Sequence, residues 1–405
     1  MKKLAKVIGA FVLGVILLGG GFAAFVAMDG IPKYAPGNID LKVESTPERV
    51  ARGKRYVQTL CATCHMDPTT RKLTGKQMLD APKEFGTIFS RNITRHPDKG
   101  IGGWTDGEIA YLLRTGVRRD GQYLPPYMVK LPHISDEDLH SIIAFLRSDD
   151  SMVAAEAVDP PGTTRPSFLT KLLSHIVFKP LPYPSKKIAA PPITDKVAYG
   201  RYLVAGLDCF ACHSADFKTQ NVLEPEKSEG FLGGGNPVLD VNGKVVRSAN
   251  LTPDEATGIG RWTERDFVRA LRRGFRPDNT PVRYPMLPTP ELTDEEAGAI
   301  YAYLRTVPKL SNKVDRGTPV PTSSTDEGNK LYHKYYCNSC HGETGVGIAD
   351  LRRATVNYPS DEKLLAWMRN APSIKPETKM PKWEGVIPDA EFAPLLAYVK
   401  TLQLK

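Results

Sequence analysis

Polar and apolar positions divide the chain into one long uncharged run near its start and a series of shorter periodic stretches after it. Lys2, Lys3 and Lys6 precede the run, which extends from Val7 to Met28. As a helix it would reach about 33 Å at ~1.5 Å per residue, enough to cross a bilayer. It exceeds a usual secretory signal core, and Phe22 or Phe25 falls where an A-x-A cleavage site needs a small side chain. An uncleaved anchor over residues 1–28 is expected, with the lysines inside and residues 29 onward outside.

Farther along, the pattern repeats. Residues 92–147 align without a gap on residues 250–305 at a constant offset of 158. Shared landmarks are Asn92 and Asn250, Gly100-Ile-Gly102 and Gly258-Ile-Gly260, Trp104-Thr105 and Trp262-Thr263, Arg114 and Arg272, and Met128 and Met286. Capping-box spacings fall at matching places: Thr105 with Glu108, Thr263 with Asp266, Ser135 with Asp138, and Thr293 with Glu296. The second box of each copy opens a helix whose apolar residues recur every three and four positions, which suits packing across a neighbouring helix.

Residues 48–148 and 196–307 therefore read as two copies of one helical unit. Between them, residues 149–195 form a proline-rich connector with one short amphipathic helix between Phe168 and Phe178, through Leu169, Leu172, Leu173 and Ile176. That apolar face is expected to pack within the molecule. A second linker, 308–327, is rich in Pro, Ser and Thr. It leads to a third unit, 328–405, which lacks the Asn-x-Thr and Gly-Ile-Gly-x-Trp-Thr block and is simpler than the other two. The predicted fold is all-α: an N-terminal transmembrane helix followed by three small domains with long loops.

Composition supports this division. A chain of 405 residues has room for about three domains, and its 34 glycines and 34 prolines suit short helices joined by long loops. The formal charge of +9 is not arranged as a basic stripe interleaved with aromatic residues, so nucleic acid is excluded as a partner.

The chemistry lies in the six cysteines. All fall in three C-x-x-C-H motifs, Cys61/Cys64/His65, Cys209/Cys212/His213 and Cys337/Cys340/His341, and none is left over. Two thiols one helical turn apart can form thioethers to the vinyl groups of one haem while the adjacent histidine reaches the iron. Zinc or redox-disulfide use of C-x-x-C does not require that histidine. Three covalently bound haem c groups are expected, one in each unit, and covalent attachment belongs to the periplasmic side of a bacterial inner membrane, in agreement with the anchor.

The repeat selects the second iron ligand. After the first motif the candidates are His96, Met128, His133 and His140; their counterparts are Asp254, Met286, Glu291 and Gly298. Only the methionine is present in both copies, in each case among prolines that stiffen its loop. In the third unit Met380, in Lys379-Met380-Pro381, has the same setting, whereas Met368 lies inside a predicted helix. The axial pairs are thus His65 with Met128, His213 with Met286, and His341 with Met380. Such ligation leaves no open coordination site and raises the reduction potential relative to two histidines. Arg114, Arg118, Arg272 and Arg276 recur at repeat positions and are candidates to hold haem propionates.

These residues resemble the three-haem cytochrome c subunits of bacterial membrane-bound dehydrogenases, such as those for alcohols and gluconate. The resemblance rests on the three C-x-x-C-H motifs, on Asn92-Ile-Thr and Asn250-Leu-Thr-Pro leading into Gly-Ile-Gly-x-Trp-Thr, and on the methionine-proline loops. It covers roughly residues 48–400, most strongly in the first two units. It implies an electron-transfer protein rather than an enzyme, a relay from a dehydrogenase catalytic subunit to ubiquinone or a terminal acceptor. The alternatives are a free-standing tethered carrier between a quinol-oxidising complex and a cytochrome oxidase, and a haem enzyme such as a peroxidase.

Overall fold

The first helix of the computed structural model, α1 (Lys2–Asp29), carries the uncharged run to its end with most side chains exposed. The structure describes residues 2–315 and 326–403, so residues 316–325 of the expected second linker lie outside the described residues. Among those described, α1 is the one helix long and apolar enough to cross a membrane. Gly30, in the left-handed region at φ 81°, ends it and returns its N–H to Val26 O at 3.2 Å.

The first unit contains α2 (Pro47–Tyr56), α3 (Ala62–His65), α4 (Asp106–Thr115) and α5 (Asp136–Leu146). Thr46 caps α2 through the Arg49 N–H, and α2 continues through a π-helical turn at Val57–Cys61 directly into α3. The connector holds α6 (Phe168–Ile176). The second unit contains α7 (Lys196–Gly206), α8 (Cys209–His213), α9 (Glu264–Arg273) and α10 (Asp294–Leu304). The third contains α11 (Glu327–Lys334), α12 (Cys337–His341), α13 (Ala354–Asn357), α14 (Asp361–Ile374) and α15 (Asp389–Thr401). Two small antiparallel pairs, Gly86–Thr87 with Arg165–Pro166 and Pro237–Leu239 with Val245–Arg247, are the sheets among the described residues.

One crossing organises each unit. Helix α2 packs on α5, α7 on α10 and α11 on α15, and a glycine sits at every crossing. A Cβ on Gly53 would lie 1.8 Å from Ser141 O, on Gly200 1.9 Å from Ala299 O, and on Gly328 2.2 Å from Pro394 O. Backbones meet at distances that no side chain permits. Around these crossings lie three hydrophobic clusters, centred on Phe145 and Ile142, on Leu203 and Ile300, and on Tyr332 and Phe392. The third also takes Phe275 from the second unit, whose ring meets Trp383 edge-on at 5.3 Å.

Three of the four expected capping boxes form in full, at Thr105, Thr263 and Thr293. At Ser135 only half forms: its hydroxyl accepts from the Asp138 N–H, but the Asp138 carboxylate does not return to it. That carboxylate instead accepts from Arg52, from Tyr56 Oη at 2.8 Å and from Tyr202 Oη of the second unit, and Tyr202 Oη accepts the Ser135 N–H at 3.0 Å. The reverse tie runs from Arg55 of the first unit to Glu296 and to Glu291 O of the second. Lys379 of the third unit reaches the Glu291 carboxylate at 2.6 Å.

The connector helix departs from expectation. Of its expected apolar face, Leu172 and Leu173 are half-buried while Leu169 and Ile176 face out with Phe168, and the small polar residues Thr170 and Ser174 are the fully buried ones. Periodicity marks an apolar face but does not say which side of the helix meets the protein.

Candidate haem-attachment sites

The helix that carries each motif is short and needs a change of chain direction before it. Asp208 (φ 58°) and Tyr336 (φ 54°) supply that change in the left-handed region, immediately ahead of α8 and α12. In the first unit the π-helical turn does the same work.

All six cysteines are free. Burial pushes the thiols of Cys61, Cys209, Cys212 and Cys337 up to about 12 and that of Cys64 up to about 11, which favours the neutral thiol. Among the described residues no cluster of three or more His, Cys, Asp or Glu is arranged to hold a metal ion.

Each motif histidine is oriented in the same way. The Nδ1–H of His65 donates to Arg91 O at 2.7 Å, that of His213 to Ala249 O at 2.8 Å, and that of His341 to Ala349 O at 3.2 Å. Burial holds all three imidazoles below their ordinary pKa, hence neutral. A neutral ring that donates from Nδ1 keeps its lone pair on Nε2, the tautomer that an iron ligand requires.

The repeated Asn-x-Thr block explains these carbonyls. Asn92 Oδ1 accepts from the Thr94 N–H (2.9 Å) and hydroxyl (2.7 Å), and Asn250 does the same for Thr252 at 2.9 and 2.7 Å. Ile101 and Ile259 of the Gly-Ile-Gly segments each donate to that threonine's carbonyl at 2.9 Å. The block therefore fixes the strand of chain whose preceding carbonyl, Arg91 O or Ala249 O, receives the histidine.

A cavity of about 690 Å³ opens against Cys337, Cys340 and His341, within the roughly 300–1,000 Å³ range of cofactor pockets. Its wall includes both Met380 and Met368, so His341 and Met380 do share one cavity. Met286, which is 36% exposed, lines the same cavity from the second unit, and Met128 packs half-buried on the first core. Paired neutral thiols, an Nε2 lone pair and an apolar cavity fit a covalently bound haem.

The four arginines divide into two kinds. Arg114 is fully buried and donates to Leu131 O (2.6 Å), Ile134 O (2.7 Å) and Asp136 (2.9 Å), which clamps α4 to the start of α5. Arg272 repeats the clamp on Pro290 O (3.2 Å) and Asp294. The propionate role expected of these two meets side chains whose terminal nitrogens already serve the protein. Arg118 pairs with Asp120 at 3.3 Å and lies over the Trp104 ring, and Arg276 donates to Pro281 O at 3.0 Å.

Two residues that the sequence does not single out lie among the motifs. Tyr284 Oη donates to the Asp80 carboxylate at 2.5 Å. The charge of Asp80 acts on both Cys64 and Cys212, Tyr284 lies close to Cys64 and Cys340, and the Tyr284 backbone N–H sits beside the Cys340 thiol. Ala62 and Thr63 of the first motif line the same cavity as Cys337, Cys340 and His341 of the third. The counterpart of Tyr284 in the first copy is Pro126, so a break in the repeat was the only signal.

Short helices that present paired thiols and a tautomer-fixed histidine define a c-type cytochrome, with haem c held covalently by its cysteines. The comparisons agree. The cytochrome c family matches residues 197–308, and the family described as cytochrome c oxidase, cbb3-type, subunit III matches residues 323–399. A diheme cytochrome c-type protein of Cereibacter sphaeroides is 31% identical over 290 residues, covering 66% of this chain and 91% of its own length. The cytochrome c subunit of the quinone alcohol dehydrogenase of Gluconacetobacter polyoxogenes is 30% identical over 317 residues, covering 73% of this chain. The cytochrome subunit of the fructose dehydrogenase of Gluconobacter japonicus is 28% identical over 325 residues, covering 72% of this chain. The chain belongs to this family of c-type cytochromes, which includes the electron-transferring cytochrome c subunits of dehydrogenases. It spans 65% and 63% of the lengths of the alcohol and fructose dehydrogenase relatives.

Proposed function

We propose that this chain is a membrane-anchored cytochrome of the bacterial inner membrane with three haem c groups facing the periplasm. It takes electrons from the catalytic subunit of a membrane dehydrogenase and delivers them to ubiquinone or another terminal acceptor. The observation that supports the reading is the cavity shared by residues of the first motif, Ala62 and Thr63, and the third, Cys337, Cys340 and His341, because a relay needs neighbouring redox sites. When bound, haem supplies a one-electron couple at its iron.

The protein's own residues set the conditions for that couple. Cys61, Cys64, Cys209, Cys212, Cys337 and Cys340 would form the thioethers, and His65, His213 and His341 would each offer Nε2 to an iron. Met128, Met286 and Met380 would supply the second ligand from proline-stiffened loops suited to a weak thioether. Arg118 and Arg276 are the better candidates for propionates, with Arg114 and Arg272 bracing the helices behind them.

A second reading, a tethered carrier that works with an oxidase, draws on the family match of residues 323–399. Gentle detergent extraction followed by mass spectrometry separates the two. A stoichiometric flavin- or quinone-dependent subunit establishes the dehydrogenase relay, whereas the cytochrome alone, or with oxidase subunits, rejects it. The intact mass of the same preparation counts the covalent haems.

A further inference from the structure

Helix α6 turns its faces the opposite way to an ordinary surface helix. Thr170 and Ser174 are buried, and Thr170 Oγ1 donates to Phe85 O at 2.8 Å. Phe168, Leu169 and Ile176, with Val177 just past the helix end, are exposed at 46, 41, 54 and 60%. A helix that serves a soluble core directs its apolar stripe inward. This one keeps Leu172 and Leu173 half-buried and presents Phe168, Leu169 and Ile176 to the surroundings.

The same helix sits at the outer end of α1. The Phe25 ring meets His175 edge-on at 5.3 Å, and Lys171 Nζ donates to Ala27 O at 3.0 Å. His175 Nε2 donates to Gly30 O at 3.2 Å and lies 3.4 Å from the Asp29 carboxylate. The exposed apolar surface of Phe22 and Phe25 on α1 therefore leads onto the exposed face of α6. Whatever surrounds the last turns of α1 also reaches Phe168, Leu169 and Ile176.

We propose that α6 lies flat in the outer interface of the bilayer that α1 crosses, with Phe168, Leu169 and Ile176 at the acyl boundary. Its partner is lipid. The inference rests on the anchor reading of α1. An interfacial helix of this kind buries its apolar face about 5–10 Å into the headgroup and acyl boundary. A single span can rotate and tilt. A second contact beside it fixes which face of the first unit looks toward the membrane.

The test uses the full-length, haem-loaded chain, purified alone and reconstituted in phosphatidylcholine and phosphatidylglycerol vesicles. Nitroxide labels are placed by Leu169→Cys and Ile176→Cys, with Leu13→Cys in α1 and exposed Lys218→Cys as references. The expected result is that both α6 labels collide several-fold more with oxygen than with a water-soluble nickel complex, between the two references. Labels at 169 and 176 that behave like the one at 218 overturn the proposal. So does occlusion from both reagents in native membranes, which means a protein surface covers α6. The label at 13 reports the anchor separately: its loss by cleavage, or its exposure to nickel, rejects the anchor reading whatever α6 shows. Leu169→Glu with Ile176→Glu is expected to leave the haem spectrum unchanged while abolishing the oxygen preference of a label at Phe168→Cys.

Discussion

The phenol of Tyr284 donates to the carboxylate of Asp80 at 2.5 Å, joining positions 204 residues apart in the second and first units. A carboxylate near a haem favours the more positive, oxidised iron. Asp80→Asn is therefore expected to raise the reduction potentials of the haems at Cys64 and Cys212 by roughly tens of millivolts, at an effective dielectric near that of a protein surface. Spectroelectrochemical titration checks this, and unchanged potentials at the first two haems would contradict the placement.

The crossing glycines give a second prediction. Gly53→Ala, Gly200→Ala or Gly328→Ala drives a methyl into a backbone carbonyl at about 2 Å and is expected to cost about 3 kcal/mol or more, with loss of haem incorporation. Gly206→Ala is the control, since a Cβ there meets nothing within 4 Å. Thermal melting and haem content measure both effects.

Asp138 ties acid stability to the contact between the first two units. Burial alone would raise its pKa, but hydrogen bonds and charge from Arg52, with bonds from Tyr202 and Tyr56, outweigh it and hold the carboxyl below its ordinary range. A lowered folded-state pKa means stability that is present above the unfolded value, about 4, and is lost as pH falls through the folded value. Asp138→Asn removes the charge partner of Arg52, whose side chain is 36% exposed, and is expected to cost about 1–3 kcal/mol. Acid titration of the variant by circular dichroism is expected to show less dependence on pH below about 4.

Met380 and Met368 share a cavity wall, and only one of them is expected to ligate. Met380→Leu is expected to abolish the long-wavelength band of one sulfur-ligated ferric haem and to lower its potential. Met368→Leu keeps the band and costs less than about 1.5 kcal/mol. The reverse pattern in absorption spectra would exchange their roles.

The cysteine motifs, the gapless repeat and three of the four capping boxes were legible because each depends on residue type at a short, fixed spacing. The histidine acceptors were not. They are backbone carbonyls, and Ala249 carries no letter that announces one. Gly53, Gly200 and Gly328 were hidden for a related reason, since their partners are main-chain atoms far along the chain. The meeting of Tyr284 and Asp80 spans two units, and local patterning holds no information about it. In α6 the periodicity was read correctly, but only Leu172 and Leu173 of its stripe are half-buried while Leu169 and Ile176 stay exposed, because spacing alone does not say how far a helix turns toward the protein.

Counted from the crossing glycines, Arg55 and Tyr202 occupy one and the same position, each two residues beyond, and Asp138 and Glu296 stand 158 apart at another. Arg55 of the first unit meets Glu296 of the second, and Tyr202 of the second meets Asp138 of the first. Reciprocal contacts of this sort belong to a two-fold axis. The tandem copies are thus arranged as an internal homodimer, and a single copy carries both halves of a self-complementary surface. Each copy gives one residue and receives one at this seam, and the third unit joins it from outside through Lys379 on Glu291.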